Sequence, residues 1–121
     1  MKILIVDDDL KIQKMLTRRL KKAGYELAIA KNGEESIQKH WEFQPDLTLM
    51  DMHMPVMDGY TAVQTLRKRG YTGTIIALTA SATTLDIPKA ISAGCDYFIP
   101  KPIENNFEDQ LAEISRKKNR P

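Results

Sequence analysis

Seven side chains of this 121-residue chain have types and positions suited to chemistry. Asp7, Asp8 and Asp9 follow the apolar run KILIV, and Asp51 follows DLTLM. Thr79 and Ser81 follow TIIAL, and Lys101 follows YFI. Clustered carboxylates repel by about 4 kcal/mol per pair at 4 Å when the effective dielectric is 20. They therefore need a cation or a shared proton. Oxygen ligands without His or Cys favour a hard ion such as Mg²⁺. Asp7, Asp8 and Asp51 against one divalent cation and Lys101 give a neutral pocket. Such a pocket lets a carboxylate attack an anionic phosphoryl group, with Asp51 as nucleophile. Each residue also has a plainer use. Asp8 or Asp9 can cap a helix, as can Asp58 before Gly59; Thr79 can end a strand; Lys101 can be a solvated lysine. Taken together the plain uses weaken, because four separate loops would have to place these groups side by side by accident.

The elements that position them are legible in the apolar pattern. Five short runs, 2–6, 26–30, 46–50, 74–78 and 97–99, read as strands. The first and fourth are continuously aliphatic, as strands covered on both faces should be. The second alternates, with Leu27 and Ile29 on one side, and belongs at an edge. Between the strands lie helical patterns. Residues 9–23 put Ile12, Met15, Leu16, Leu20 and Ala23 on one stripe, with Gly24 closing the helix. Residues 33–43 stop before Pro45, and 59–69 turn Ala62, Val63 and Leu66 inward. A fourth helix falls between Thr83 and Ala93, and a fifth runs from about Glu104 to Lys118. Alternating strands and helices mean an α/β fold with a parallel sheet covered on both faces and right-handed crossovers. Ligands of such sheets sit beyond the carboxyl ends of the strands, where all seven residues fall.

Composition narrows the classes. The length suits one domain, 1–121, with a basic segment at about 116–121. Hydrophobic content of 42% with 28% charge is that of a globular protein, and no apolar run nears the ~20 residues of a membrane span. The start, MKILIVDDD, turns acidic too soon for a signal peptide. One cysteine, Cys95, excludes an internal disulfide and fits a reducing, cytoplasmic setting. His40 and His53 share no metal-ligand spacing. The net charge of +2 is weak, and RKKNR reads as a solvated helix end rather than a nucleic-acid site. No effector domain follows, so output is expected by contact with a partner, or else the chain is a fragment.

The runs ILIVDDD, LTLMDMHMPVMDG, IIALTA and AGCDYFIPKPI, in that order, resemble the receiver domain of two-component response regulators over residues 2 to about 115. MDMHMPVMDG is especially similar to receivers attached to hybrid sensor kinases. The resemblance implies a flavodoxin-like (βα)5 three-layer sandwich with strand order 2-1-3-4-5. It implies that Asp51 accepts a phosphoryl group from a phosphohistidine on a sensor histidine kinase or phosphotransfer protein. Asp8, Asp51 and the backbone carbonyl of His53 would bind Mg²⁺, with Asp7 helping through water. Lys101 would contact the phosphoryl group. Thr79 would swing toward it, Phe98 would turn inward, and the face of helix 4, strand 5 and helix 5 would signal to a target protein. Pro55 and Gly59 would shape the acceptor loop, and the Lys101–Pro102 bond would be cis. The domain would catalyse only its own phosphorylation and dephosphorylation, without binding nucleic acid or membrane.

Two departures and two rivals carry further expectations. His53, two residues past the acceptor, is expected to orient or block the hydrolytic water. Pro88 confines the fourth helix to a late start near Asp86, because proline is tolerated only in a first turn. A haloacid-dehalogenase-like phosphohydrolase would use Asp7 as nucleophile in the D-x-D pair Asp7 and Asp9, but Lys11 stands where that motif wants Thr, and the chain is too short. A phosphorylation-independent adaptor of the same fold would have no need of the acidic cluster.

Overall fold

A computed structural model describes residues 1–54, 56–79 and 86–118 of the chain. Five strands alternate with five helices: β1 (Lys2–Val6), α1 (Leu10–Lys22), β2 (Glu26–Ala30), α2 (Gly33–Phe43), β3 (Leu47–Asp51), α3 (Gly59–Lys68), β4 (Thr74–Thr79), α4 (Asp86–Ala93), β5 (Tyr97–Pro100) and α5 (Phe107–Lys118). The strands form one parallel sheet in the order β2-β1-β3-β4-β5. This is the flavodoxin-like order, with β2 at an edge as its alternation predicts.

Side chains alternate across the strands and so build two cores. Leu4, Val6, Met50, Ile75 and Ala77 pack with Ala62, Val63 and Leu66 of α3 and Ala90 of α4. Ile3, Ile5, Leu49, Ile76 and Leu78 pack with Leu16 and Leu20 of α1 and with Phe107, Leu111 and Ile114 of α5. Each fully buried aliphatic side chain contributes about 1.5–3 kcal/mol. β3 and β4 are buried at every position, as strands covered on both faces require.

Local chemistry sets the helix ends. Asp9 caps α1 through the Lys11 and Ile12 N–H groups at 2.8 and 3.4 Å, Asn32 caps α2 through Glu35, and Asp58 caps α3 through Thr61. Gly24 and Gly94 lie at φ +95° and +123° just past α1 and α4. Gln44, without a glycine's freedom, takes φ 51° after α2, where Pro45 disfavours continued helix.

The structure corrects several boundaries. β3, β4 and β5 each run one residue further than their apolar runs, so Asp51, Thr79 and Pro100 are terminal strand residues. Ala23 is exposed and does not extend the α1 stripe, because the chain turns away at Gly24. α5 begins at Phe107 instead of Glu104, and residues 116–118 are its last turn. Among the described residues α4 runs Asp86–Ala93 and includes Pro88; residues 80–85, including Ala80 and Ser81, and Pro55 lie outside the described residues, and with them the expected start of this helix.

Candidate functional site

Strand register brings the acid cluster together. β1 pairs β3 with Val6 opposite Met50, so one step further sets Asp7 beside Asp51. Neighbouring strands lie about 4.8 Å apart. Alternation then fixes the face. Asp7 lies two residues beyond Ile5, Asp51 two beyond Leu49 and Lys101 two beyond Ile99, and all three isoleucine or leucine positions face the α1–α5 core. Thr79 and Phe98 have the opposite parity, shared with Ala77.

The contacts are direct. Lys101 Nζ lies 3.1 Å from Asp7 Oδ2 and 3.5 Å from Asp51 Oδ1. Asp7 is fully buried, and its Oδ1 accepts the Asp9 N–H at 2.9 Å. Asp51 is 4% exposed, and its Oδ1 accepts the His53 N–H at 3.1 Å. Asp8 is exposed and gives the cluster a wet side. Asp7, Asp8 and Asp51 each offer a carboxylate oxygen within 4.8 Å of the others. Burial pushes the Asp51 carboxyl up to about 6; the His53 N–H bond opposes this, Asp7 adds to it, Lys101 opposes it and Asp8 adds to it. Three carboxylates against one ammonium leave a net charge of −2. That charge, an oxygen-only donor set and one open side fit a hard divalent cation that keeps part of its water.

Two glycines let the backbone close on this site. A Cβ on Gly59 would meet the Asp51 carbonyl oxygen at 2.5 Å and Met52 Cα at 2.6 Å, so α3 can start against the acceptor strand only without a side chain. Gly33, at the start of α2, donates its N–H to the Met57 carbonyl at 3.2 Å. A Cβ there would meet the same oxygen at 2.5 Å. Val56, between these anchors, is 76% exposed at φ 74°, a strained conformation for a β-branched residue.

The remaining expected residues are near the cluster but not all in it. Thr79 is buried at the end of β4, and its carbonyl accepts the Lys101 N–H at 2.8 Å. Phe98 is half-buried against the α2–α4 core. The His53 side chain is exposed, with its ring edge-on to Tyr60 at 6.2 Å between centroids. The Lys101–Pro102 bond is cis. Asp9 spends its carboxylate on the α1 cap, so the D-x-D pair does not present two carboxylates, and the phosphohydrolase alternative is not favoured.

Sequence reasoning missed three supports. Gln13 Nε2 donates to the Asp7 carbonyl at 2.5 Å, and Gly33 holds the acceptor loop. Arg19 clamps the segment after Lys101, donating to Glu108, to the Glu104 carbonyl at 2.8 Å and to the Asn105 carbonyl at 3.3 Å. The Asn32-Gly33 pair was a usable signal for a capped close approach; Gln13 and Arg19 gave none.

A fold and site of this kind define a signalling module that takes charge at the carboxyl edge of a parallel sheet. Residues 3–113 match the response regulator receiver domain model, and the chain belongs to that family. It is 38% identical to the chemotaxis protein CheY of Thermotoga maritima, over 95% of this chain and 98% of that one. It is 34% identical to the probable transcriptional regulator ycf27 of Guillardia theta, over 98% of this chain and 47% of the relative. The chain thus spans about half the length of the ycf27 regulators it matches. Among solved structures, the response regulator TrrA of Thermotoga maritima, in complex with Mg²⁺ and BeF, superposes with a TM-score of 0.80 at 31% identity, over 95% of this chain and 96% of that one. Receiver domains are signalling modules that bind Mg²⁺ in an acidic pocket and interact with histidine kinases or phosphotransfer proteins. Among the described residues no helix is long and apolar enough to cross a membrane.

Proposed function

We propose that Asp51 is the phosphoacceptor of a two-component phosphorelay. The observation that carries this is the placement of the Asp51 carboxylate: at a strand end, buried, against Lys101 and within reach of Asp7 and Asp8. A carboxylate oxygen of Asp51 attacks the phosphorus of a partner's phosphohistidine. The new O–P bond forms as the P–N bond breaks, and the imidazole nitrogen keeps the electron pair and is reprotonated. Lys101 sits where it can turn from Asp7 to a phosphoryl oxygen and neutralise charge on it. Mg²⁺, held by the Asp8 and Asp51 carboxylates and the His53 carbonyl with Asp7 acting through water, would supply further positive charge to the same oxygens. The reaction is confined to the domain's own phosphorylation and dephosphorylation, and His53 at the mouth tunes water access.

Phosphorylation adds one to two negative charges, roughly, next to Thr79 and Lys101. Thr79 and Phe98 share one face of the sheet, which supports a switch in which both move and the α4–β5–α5 surface changes population. A downstream protein reads that surface, in the cytoplasm, without direct nucleic-acid contact. Residues 1–121 act as one domain.

The test is incubation with Mg²⁺ and a small acyl phosphate, followed by intact-mass measurement. The wild type gains one phosphoryl group and Asp51→Asn gains none. Labelling that survives in Asp51→Asn and vanishes in Asp7→Asn would overturn the assignment.

A further inference from the structure

Between the last turns of α2 and α3, at the end of the sheet away from the acid cluster, lies a cleft of about 220 Å³. A cavity of about 150 Å³ holds benzene, so this one takes a ring with a short side chain. Its walls are mostly rings: Trp41, His40, Pro45 and Tyr71, with Leu66 beside them. His40 and Tyr71 pack edge-on at 4.5 Å and are hydrogen-bonded to Thr48 and to the Pro45 carbonyl, so that wall is pre-formed. Trp41, the sole tryptophan, is 63% exposed, whereas tryptophan is on average a well-buried residue. Two polar side chains complete the lining. Gln44 holds φ 51°, a conformation in which glycine is less strained. Arg69 is exposed and, among the described residues, has no carboxylate within 4 Å. No acidic residue lines the cleft. The carbonyls that end the two helices are already engaged: His40 by the Gln44 N–H, Phe43 by Lys2 Nζ, Thr65 by the Arg69 N–H, Leu66 by the Tyr71 N–H and Arg67 by the Gly70 N–H. The helix ends therefore oppose an anion here only weakly.

We propose that this cleft binds a small aromatic carboxylate. The ring of the ligand enters among Trp41, Tyr71, Pro45 and Leu66, where flat walls favour a flat guest. Its carboxylate meets the Arg69 guanidinium in a charge-assisted pair, and the Gln44 amide donates to the same group. Charge complementarity selects the sign of the ligand: a cation would face Arg69 with no carboxylate to receive it, and a neutral hydrocarbon would leave both polar side chains unused. An aliphatic acid fits less well, because it offers the rings no face to stack on. The volume admits one ring system and not the face of a helix. The site shares no residue with the acid cluster and does not depend on the phosphoacceptor reading.

The probe is 3-phenylpropionate, titrated into the isotopically labelled full chain. Because Trp41 is the sole tryptophan, its fluorescence reports on the cleft directly. A saturable change is expected with a dissociation constant below about 3 mM, within reach of a ligand this small, together with amide shifts at Trp41, Gln44, Leu66, Arg69 and Tyr71. The uncharged 3-phenylpropanamide should bind roughly five- to tenfold more weakly, and the cationic 3-phenylpropylamine more weakly still. Arg69→Gln should weaken the acid by about the same factor and leave the amide unchanged. Gln44→Gly should weaken the acid by a smaller factor while raising the melting temperature of the free chain, since glycine takes φ 51° without strain. Acyl-phosphate labelling of Asp51 should be unchanged in both variants, which separates failure here from failure of the acceptor assignment. A dissociation constant above about 3 mM overturns the proposal. So does a ringless acid, heptanoate, or the amine, if either perturbs the same residues as strongly. A Phe-Asp peptide blocked at both ends that binds more tightly than the free acid would assign the cleft to a partner's side chain and overturn the small-molecule reading.

Discussion

Two clusters of buried polar side chains lie at opposite ends of the sheet. At the amino end, His40 Nδ1–H donates to the Ser36 carbonyl at 2.6 Å, and Nε2 accepts from Thr48 Oγ1 at 2.8 Å. The Ser36 oxygen can only accept, so Nδ1 carries a proton, and burial of the ring favours the neutral form with Nε2 as acceptor. Tyr71 OH donates to the Pro45 carbonyl at 3.1 Å and packs edge-on against His40 at 4.5 Å. Arg67 donates to the carbonyls of Tyr71, Gly73 and Gly94 and pairs with Asp96. At the carboxyl end, the buried Asp7 and Asp51 share Lys101, and with the exposed Asp8 beside them the cluster keeps a net negative charge. The first cluster closes on itself, and its polar groups serve the fold. The second is left unbalanced, which costs stability and leaves affinity for a cation and an anionic phosphoryl group.

That contrast can be broken most sharply at the amino end. His40→Leu removes the ring's bonds to the Ser36 carbonyl and to Thr48 Oγ1, leaving Thr48 only the long 3.4 Å contact with Tyr71 OH in a buried site, so urea unfolding should show a loss of about 2–4 kcal/mol, with Asp51 labelling intact. A loss of labelling at unchanged stability would reverse the assignment of the two ends. At the carboxyl end, Gly59→Ala forces a Cβ against the Asp51 and Met52 backbone, where neither neighbour is a flexible side-chain tip. It should cost about 1–3 kcal/mol. Labelling should fall by more than roughly tenfold, since a shift of about 1 Å near a reacting group is enough for that; full labelling would show that the acceptor loop tolerates displacement.

Asp51→Asn should act in the opposite direction on stability. The folded carboxyl titrates at about 6 against 3.8 ordinarily, so the folded state holds this proton more tightly and stability contributed here falls as pH rises from about 4 to 6. Without metal at pH 7, the substitution should therefore stabilise the chain by about 1–3 kcal/mol, with the gain fading toward pH 4. A constant gain across that range would point to a cause other than the buried charge. His40 has the reverse slope. Burial, first, and Arg67 hold its ring below the usual 6.5, against the Ser36 bond, so its contribution is present above 6.5 and lost as pH falls below it. Comparing the pH–stability curves of Asp51→Asn and His40→Leu with the wild type resolves the two slopes. The smallest effect is expected for His53→Ala: a change in phosphate lifetime of roughly two- to fivefold, about 0.4–1 kcal/mol, at unchanged stability. An unchanged lifetime removes His53 from the mechanism.

Asp7, Asp8, Asp51, Thr79 and Lys101 were legible because each follows or ends an apolar run, and parallel sheets place ligands at that edge. Helix starts at Asp9, Asn32 and Asp58 carried local capping chemistry. His40, Thr48 and Tyr71 were not legible as a group. Each looks ordinary in its own segment, and only packing joins α2, β3 and the turn before β4.

The chain by itself determined its alternation of strand and helix, the direction of each side chain and, to within a residue, where most strands end, because these follow from the repeat of the backbone over a few residues. Tertiary structure alone decided that β1 and β3 are neighbours, and hence that Asp7 stands beside Asp51. Pairing depends on surfaces remote in the chain, and the entropy of closing the connecting loops varies too slowly with their length to encode the order locally.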